Sequence, residues 1–582
     1  LSFCSGPQGD RAIRLASPFH MYDAAQSASA SGYGSCRQAD HAAAASADAR
    51  HGSSSTSELE EDGEEDEGEP EGAWIDWRTL VKYSGPGLLM SIAFLDAGNL
   101  EADLQQGACT GFSLIWLLFM AHAVGFLLQS LSCRLGNTTG RHLAQACSEH
   151  LPKPAGLGLY CLMELSVVCV DVQQMLGGAV AFRILLGVPL WMGATLTSLA
   201  SLLLLSLSGS EMERIEGLFL ILVGTMTACF LINFVADVPP MDAVTDGMIP
   251  QVGPRSIDAA IATLGAVVMP HNVYLHSALV LTRGSGARTP KKIREANKYC
   301  MLDAAFSLTL CFLVNVAVVA SFAQNFYSTE CAFEAGEQPA ACVDRALARE
   351  LGSFDDDDDN MLCSIKGELG VCTDIGLHGA GDALSSSIGN SAKYVWAIGL
   401  LAATQSSVVT GTYSGQFLVD GFFNVNLPML QRTLFTRIVS MIPAAFIAHT
   451  YAGEAIIEDA IDQWINMFQS ILVPFALLPL LILTDSRAVM GPRYANGSSL
   501  SLICWIVILS IFCANIYMVW QTFKEWSEYL GDGLQTQSLR LVAPCLIFGT
   551  VYIVALLTLA RMLTVSTRST PTMKKTTLKR GS

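Results

Sequence analysis

Roughly twelve runs of about twenty mostly apolar residues dominate this chain, each long enough to cross a bilayer as a helix. They centre near 84–107, 111–133, 157–181, 190–209, 215–236, 258–282, 302–325, 393–422, 434–450, 463–484, 500–521 and 540–562, the first, sixth and eighth being the least uniform. Composition agrees. Of 582 residues, 51% are hydrophobic and only 15% charged, with a mean hydropathy of +0.41. Soluble chains carry roughly a quarter charged residues, so most of this one belongs in lipid. An integral membrane protein of the plasma membrane or an endosomal or vacuolar membrane is expected, with the bilayer as its main surroundings and no nucleic-acid partner.

The net charge of -18 is concentrated outside the apolar runs, in Ser57–Glu71 and in Asp355–Asp359. It therefore describes tails and loops rather than the bundle. Leu1–Arg50 holds no apolar stretch of signal-peptide length. The segment 1–73, rich in Ala, Ser, Gly and acid, buries too little surface to offset its chain entropy and reads as a disordered acidic cytoplasmic tail. The following division is expected: a transport core over 74–484, with halves at about 80–237 and 256–484; two extra helices over 485–565; and a basic cytoplasmic tail over 566–582.

Basic residues set the orientation. Alternate loops hold Arg134, Arg141 and Lys153, then Arg283, Arg288, Lys291, Lys292, Arg294 and Lys298. Arg432 with Arg437, Arg487 with Arg493, and the tail Arg568–Arg580 continue the series, while the opposite loops are poor in positive charge. Both termini are thus expected in the cytoplasm, and the long 326–392 loop outside it or in a lumen. Of the 17 cysteines, Cys331, Cys342, Cys363 and Cys372 share that loop. In an oxidising compartment they could form two disulfides in any of three pairings. The sequons at Asn137 and Asn496 fall on the cytoplasmic side and are expected to stay unmodified.

Two spans are interrupted. The first carries Asp96-Ala97-Gly98-Asn99 near mid-membrane depth. An ionisable group there is costly and usually faces a cavity or partner, and Gly98 lets the backbone leave helical geometry. The sixth carries Met269-Pro270-His271. Pro270 lacks an N–H and clashes with the preceding turn, which releases carbonyls around Ala266. Irregular backbone at this depth is tolerated only where it lines protein or water. Two broken helices about five spans apart point to an inverted-repeat transporter with a site at mid-membrane.

The donor types then narrow the cargo. Asp96 offers a hard anion, Asn99 a neutral oxygen, and the freed carbonyls more oxygen. Oxygens alone would suit Mg²⁺ or Ca²⁺. The Met269 thioether favours softer Mn²⁺, Fe²⁺, Co²⁺ or Cd²⁺. The transported metal is the substrate; no separate cofactor is expected. No nucleophile–base constellation or nucleotide loop stands beside these motifs, so the chain does not read as an enzyme.

The first span, MPHNVYLHSALV (269–280), LLAATQSSVVTGTYSGQFLVDGFF (400–423) and MFQSILVPFALLPL (467–480) resemble blocks of the natural resistance-associated macrophage protein family of divalent-metal/proton symporters. The similarity runs from about Tyr83 to Leu483 and more weakly to the last span. It implies an all-α, LeuT-like fold of ten core helices in two inverted halves plus two extra helices. It further implies side-chain ligands Asp96, Asn99 and Met269, the carbonyls of Ala93 and Ala266, and Gln469 joining the site in occluded states. A proton route from Asp96 through Asp171 is implied as well, with His271 close by, His276 at a pH-responsive position, and Arg283 and Arg437 as salt-bridge partners. Two positions depart from the family pattern. Ala97 stands where the family has proline, and Gln174, which cannot carry a proton, stands where it has a second carboxylate. A metal-sensing receptor without turnover, a metal uniporter, and a sodium-coupled amino-acid carrier are the competing readings.

Overall fold

The computed structural model describes residues 76–208, 212–251, 256–283, 289–331, 340–350, 362–365, 368–373, 375–425, 429–450, 455–529 and 534–569. The stretch 1–73, with its acidic run Ser57–Glu71, lies outside the described residues, as do Asp355–Asp359 and the basic tail beyond 569. Of the described residues, 76–82 belong to one unit and those from Tyr83 on to a second. The helix α1 (Trp77–Tyr83), all but its last residue in the first, starts at Asp76, whose carboxylate accepts the N–H groups of Arg78 at 3.1 Å and Thr79 at 3.3 Å. A carboxylate at a helix start satisfies orphan donors and meets the positive end of the dipole.

The second unit is a helical bundle. It opens with α2 (Pro86–Ser91), one 3₁₀ turn at Ile92–Phe94, and α3 (Ala97–Thr110). There follow α4 (Ile115–Thr139), α5 (Leu143–His150), α6 (Lys153–Leu186), α7 (Leu190–Ser208), α8 (Met212–Ala236), α9 (Met241–Asp246), α10 (Ile257–Val267), α11 (Pro270–Arg283) and α12 (Pro290–Phe326). Beyond a loop come α15 (Asn390–Phe423), α16 (Met429–Thr450), α17 (Ala455–Asp485), the short α18 (Arg487–Met490), α19 (Ser498–Tyr529) and α20 (Leu534–Ser569). Among the described residues, 7 helices are long and apolar enough to cross a membrane. Leu190–Ser206, Leu220–Ala236 and Leu434–Thr450 are apolar but shorter.

The remaining expected spans are polar for a reason. Every residue of α3 is buried, and α15 buries Thr404, Gln405, Ser406, Ser407, Thr410 and Thr412 against α6 and its other neighbours. Protein surrounds these helices, so hydroxyls and amides find partners there instead of lipid.

The 326–392 loop forms more structure than its composition suggested. Strands β1 (Ala341–Asp344), β2 (Leu362–Ile365) and β3 (Glu368–Thr373) make an antiparallel sheet in the order β1-β3-β2, with α13 (Arg345–Glu350) and α14 (Leu377–Ile388) beside it. The pairing left open by the sequence is Cys331–Cys372 and Cys342–Cys363. Register alone would not give this pairing: Cys342 of β1 sits opposite Cys372 of β3, yet it bonds Cys363 on the other outer strand, and Cys372 bonds Cys331. The loop is tied to the bundle by Glu101 of α3, whose buried carboxylate accepts the Leu377 N–H at 2.7 Å at the start of α14.

The last two helices are pinned to α17 by polar contacts. Asn515 donates to the Ser470 carbonyl at 2.8 Å, and the Tyr552 hydroxyl donates to the Ile471 carbonyl at 2.9 Å. Such groups hold helices together where the hydrophobic effect between them is absent.

Candidate metal site

The second break follows its sequence closely. The last turn of α10 closes with the Val268 N–H on the Leu264 carbonyl at 3.1 Å, and Pro270 begins α11. In an unbroken helix the donor for the Ala266 carbonyl would be residue 270, which is proline and has none. Met269 lies between the two helices and is 2% exposed; Ala266 is fully buried.

The first break is built differently. Gly98 was the expected pivot, yet it lies inside α3 with helical neighbours on both sides. The chain leaves helical geometry at Asp96, which has φ -87° and ψ 178° and caps α3. Its Oδ1 accepts the Asn99 backbone N–H at 2.9 Å and the Asn99 Nδ2 at 2.9 Å. Gly98 is required for close approach instead. A Cβ there would run into Gln173 Oε1 and Asn466 Oδ1. Asn466 Nδ2 donates to the Gly98 carbonyl at 3.1 Å, and Gln173 Nε2 donates to Asn466 Oδ1 at 3.1 Å. These contacts from α6 and α17 seat the start of α3.

One small cavity is lined by Met269 with Val267 and Val268 at the second break, by Met90 and Phe94 just before the first, and by Gln129 and Asn272; of the expected ligands only Met269 is in its lining. The side-chain amides of Gln129 and Asn272 make no hydrogen bond to the described residues. The Asn99 Oδ1 is also buried without a hydrogen bond, while its Nδ2 faces Asp96 and, at 3.4 Å, the Ala93 carbonyl. An amide oxygen left unpaired in a dry interior is costly unless something binds it. Asp96, Asn99 and Ala93 are buried at the first interruption, and Ala266 and Met269 at the second.

Gln469 of α17 is occupied elsewhere in this conformation. Its Oε1 accepts from the Ser166 hydroxyl and its Nε2 donates to the Ser166 carbonyl at 3.2 Å. Ser166 also meets His271 Nδ1 at 3.1 Å, which links α6, α11 and α17. His276 is fully buried, with Nε2 3.8 Å from Cys300 Sγ.

Asp171 pairs with Arg437 at 3.3 Å, both fully buried. Arg283, the other candidate partner, ends α11 near Asp303 of α12. One element of the pattern was missed in the sequence. Glu164 lies two turns before Asp171 on α6 and pairs with Arg432 at 3.0 Å. The seven-residue spacing that puts both carboxylates on one helix face was the available signal. Arg432 and Arg437 were counted among the loop charges, but both lie inside α16 and are buried. Their charges answer acids on α6. Asp303 was also missed. Its carboxylate accepts the Gly85 and Gly87 N–H groups at 3.3 and 2.7 Å, and so anchors the start of α2.

A family model described as natural resistance-associated macrophage protein-like matches residues 87–354 and 367–521. The chain belongs to this family. The "Metal transporter nramp1 homolog" of Dictyostelium discoideum is 37% identical over 79% of this chain and 78% of its own length. "Metal transporter Nramp4" of Arabidopsis thaliana is 36% identical over 86% of this chain and 89% of its own. Among solved structures, the Eremococcus coleocola manganese transporter superposes with a TM-score of 0.69 at 25% identity, covering 86% of this chain and 97% of that one. The expected LeuT-like architecture, with its first and sixth helices broken, is the fold of this family member.

Proposed function

We propose that the chain is a secondary transporter that carries divalent transition-metal ions such as Mn²⁺, Fe²⁺, Co²⁺ and Cd²⁺ toward the cytoplasm by alternating access. One observation carries this reading. An anionic oxygen at Asp96, an unpaired amide oxygen at Asn99 and a thioether at Met269 are all buried at the breaks of two helices that pack on each other. Asp96, Asn99, Met269 and the carbonyls of Ala93 and Ala266 are the proposed ligands, with Gln469 added once it leaves Ser166. The mixed oxygen and sulfur set favours transition metals over Ca²⁺ and Mg²⁺. The metal-transporter names of the two relatives and the manganese transporter with which the chain superposes support the same cargo.

Proton linkage is proposed along Asp96, Asp171 and Arg437, extended by Glu164 and Arg432, with His271 and His276 beside the route. A specific observation favours a second reading, uniport without protons. The position next to Asp96 is held by the Gln174 amide, which donates to Asp96 Oδ2 at 3.0 Å and takes up no proton. From the distribution of Lys and Arg we also propose that both termini lie in the cytoplasm and the disulfide-bonded loop on the opposite side.

The test is Mn²⁺ uptake into proteoliposomes with internal pH recorded. Wild-type protein is expected to take up Mn²⁺, and Asp96→Ala to lower uptake at least about 100-fold, as loss of a charged ligand in a dry site should. Wild-type flux in the variant would remove Asp96 from the ligand set. Acidification that follows Mn²⁺ entry supports the symport reading; uptake at constant internal pH supports uniport. Saturable binding without flux in the wild type would make the chain a receptor.

A further inference from the structure

The first break contains no residue that forbids a helix. Ala97 has an N–H, which a continuous helix would send to the Ala93 carbonyl four residues back. That N–H instead donates to Gln174 Oε1 at 3.1 Å. The same side chain uses its Nε2 to donate to Asp96 Oδ2 at 3.0 Å. Gln174 is fully buried, and both of its polar atoms are spent on adjacent residues of the break. Close approach of α6 makes this reach possible. Three residues along the same face, a Cβ at Gly177 would lie 2.7 Å from the Ala97 Cβ.

We infer that Gln174 is a positioning residue of the metal site, whose amide keeps the helix open at Ala97 and fixes the Asp96 carboxylate by the same two-point contact. This inference rests on the reading of Asp96 as a ligand. The chemistry needs an amide of this length. An acceptor must draw off the Ala97 N–H so that the Ala93 carbonyl is released, and a donor one atom away must orient Asp96. A carboxylate has no hydrogen to give Asp96, and an aliphatic side chain leaves the Ala97 N–H buried and drawn back to Ala93. One side chain thereby sets two of the proposed ligands, a carboxylate and a carbonyl.

The experiment measures KM and Vmax for Mn²⁺ uptake into proteoliposomes, using the full chain. Gln174→Met, close in volume but without either hydrogen bond, is expected to raise KM about tenfold, while Vmax changes less than about threefold. Gln174→Asn, an amide one methylene too short, is expected to behave similarly. An unchanged KM in both variants overturns the inference, as does a Vmax loss with no KM change. Ala97→Pro supplies an independent arm. Proline suits the first helical position and has no N–H to return to Ala93. In the Ala97→Pro background, Gln174→Met is expected to raise KM only about threefold, because one of the two contacts is already absent. The same tenfold rise in both backgrounds would show that the two residues act independently and would overturn the clamp. If Gln174→Met alone fails to fold, the KM of Gln174→Asn decides. Loss of uptake in Asp96→Ala together with a normal KM in Gln174→Met and Gln174→Asn sinks this inference alone. Normal uptake in Asp96→Ala sinks the ligand reading beneath it.

Discussion

The two helix interruptions perform matching tasks by different means. At the second, Pro270 removes the donor for the Ala266 carbonyl, so the break is written into the covalent chain. At the first, every backbone donor is present, and the break is held by side chains from other helices. Gln174 takes the Ala97 N–H, Asn99 and Gln174 orient Asp96, and Gln173 with Asn466 seat Gly98. A break made by proline persists in any conformation. One made by contacts from α6 and α17 can change when those helices move relative to α3. In an alternating-access cycle, the first is therefore the natural place for the site to tighten or loosen.

This contrast can be tested by injuring each break in turn. The largest effect is expected from Gly98→Ala, because the added methyl collides with the Gln173 and Asn466 side chains that seat α3. Mn²⁺ uptake should fall about 10- to 100-fold and thermal stability should drop, as overpacking in a dense core does. If uptake and melting temperature stay at wild-type values, the first break does not depend on those contacts. Pro270→Ala should act in the opposite sense on the fold. Restoring an N–H opposite the Ala266 carbonyl lets α10 and α11 move toward one helix, so uptake should fall about tenfold while thermal stability is kept or raised. Equal losses of uptake and stability would mean that Pro270 serves packing instead. The smallest change is expected from Met269→Ala, which leaves both breaks intact and removes only the sulfur. Mn²⁺ transport should persist, with Ca²⁺ inhibiting at roughly threefold lower concentration. Unaltered Ca²⁺ inhibition would exclude the thioether as a filter.

Much of this was legible in the residues. Length and polarity placed the apolar spans, Pro270 marked its own break, and Asp96, Asn99 and Met269 supplied the donor set on which the proposed transition-metal site rests. Resemblance to family blocks picked out Asp171 and Arg437, which the structure pairs. Glu164 and Arg432 escaped because their pairing joins two helices far apart in the chain and Arg432 read as a loop charge, although it is buried in α16. Gly98 was given a conformational role when its role is steric. A sequence shows that a residue is small, but not what comes close to it.

By itself, then, the sequence determined a multi-span bundle, a proline break and the donor types from which a soft-metal site is proposed. These follow from local physics: apolar length, a missing N–H, and the ligand preferences of single atoms. The tertiary structure alone decided the disulfide pairing, the two ion pairs joining α6 to α16, and the way the first helix is held open. The reason is distance along the chain. Gln174 reaches Ala97 across 77 residues, and only folding can bring that amide to the one backbone N–H whose loss opens the helix.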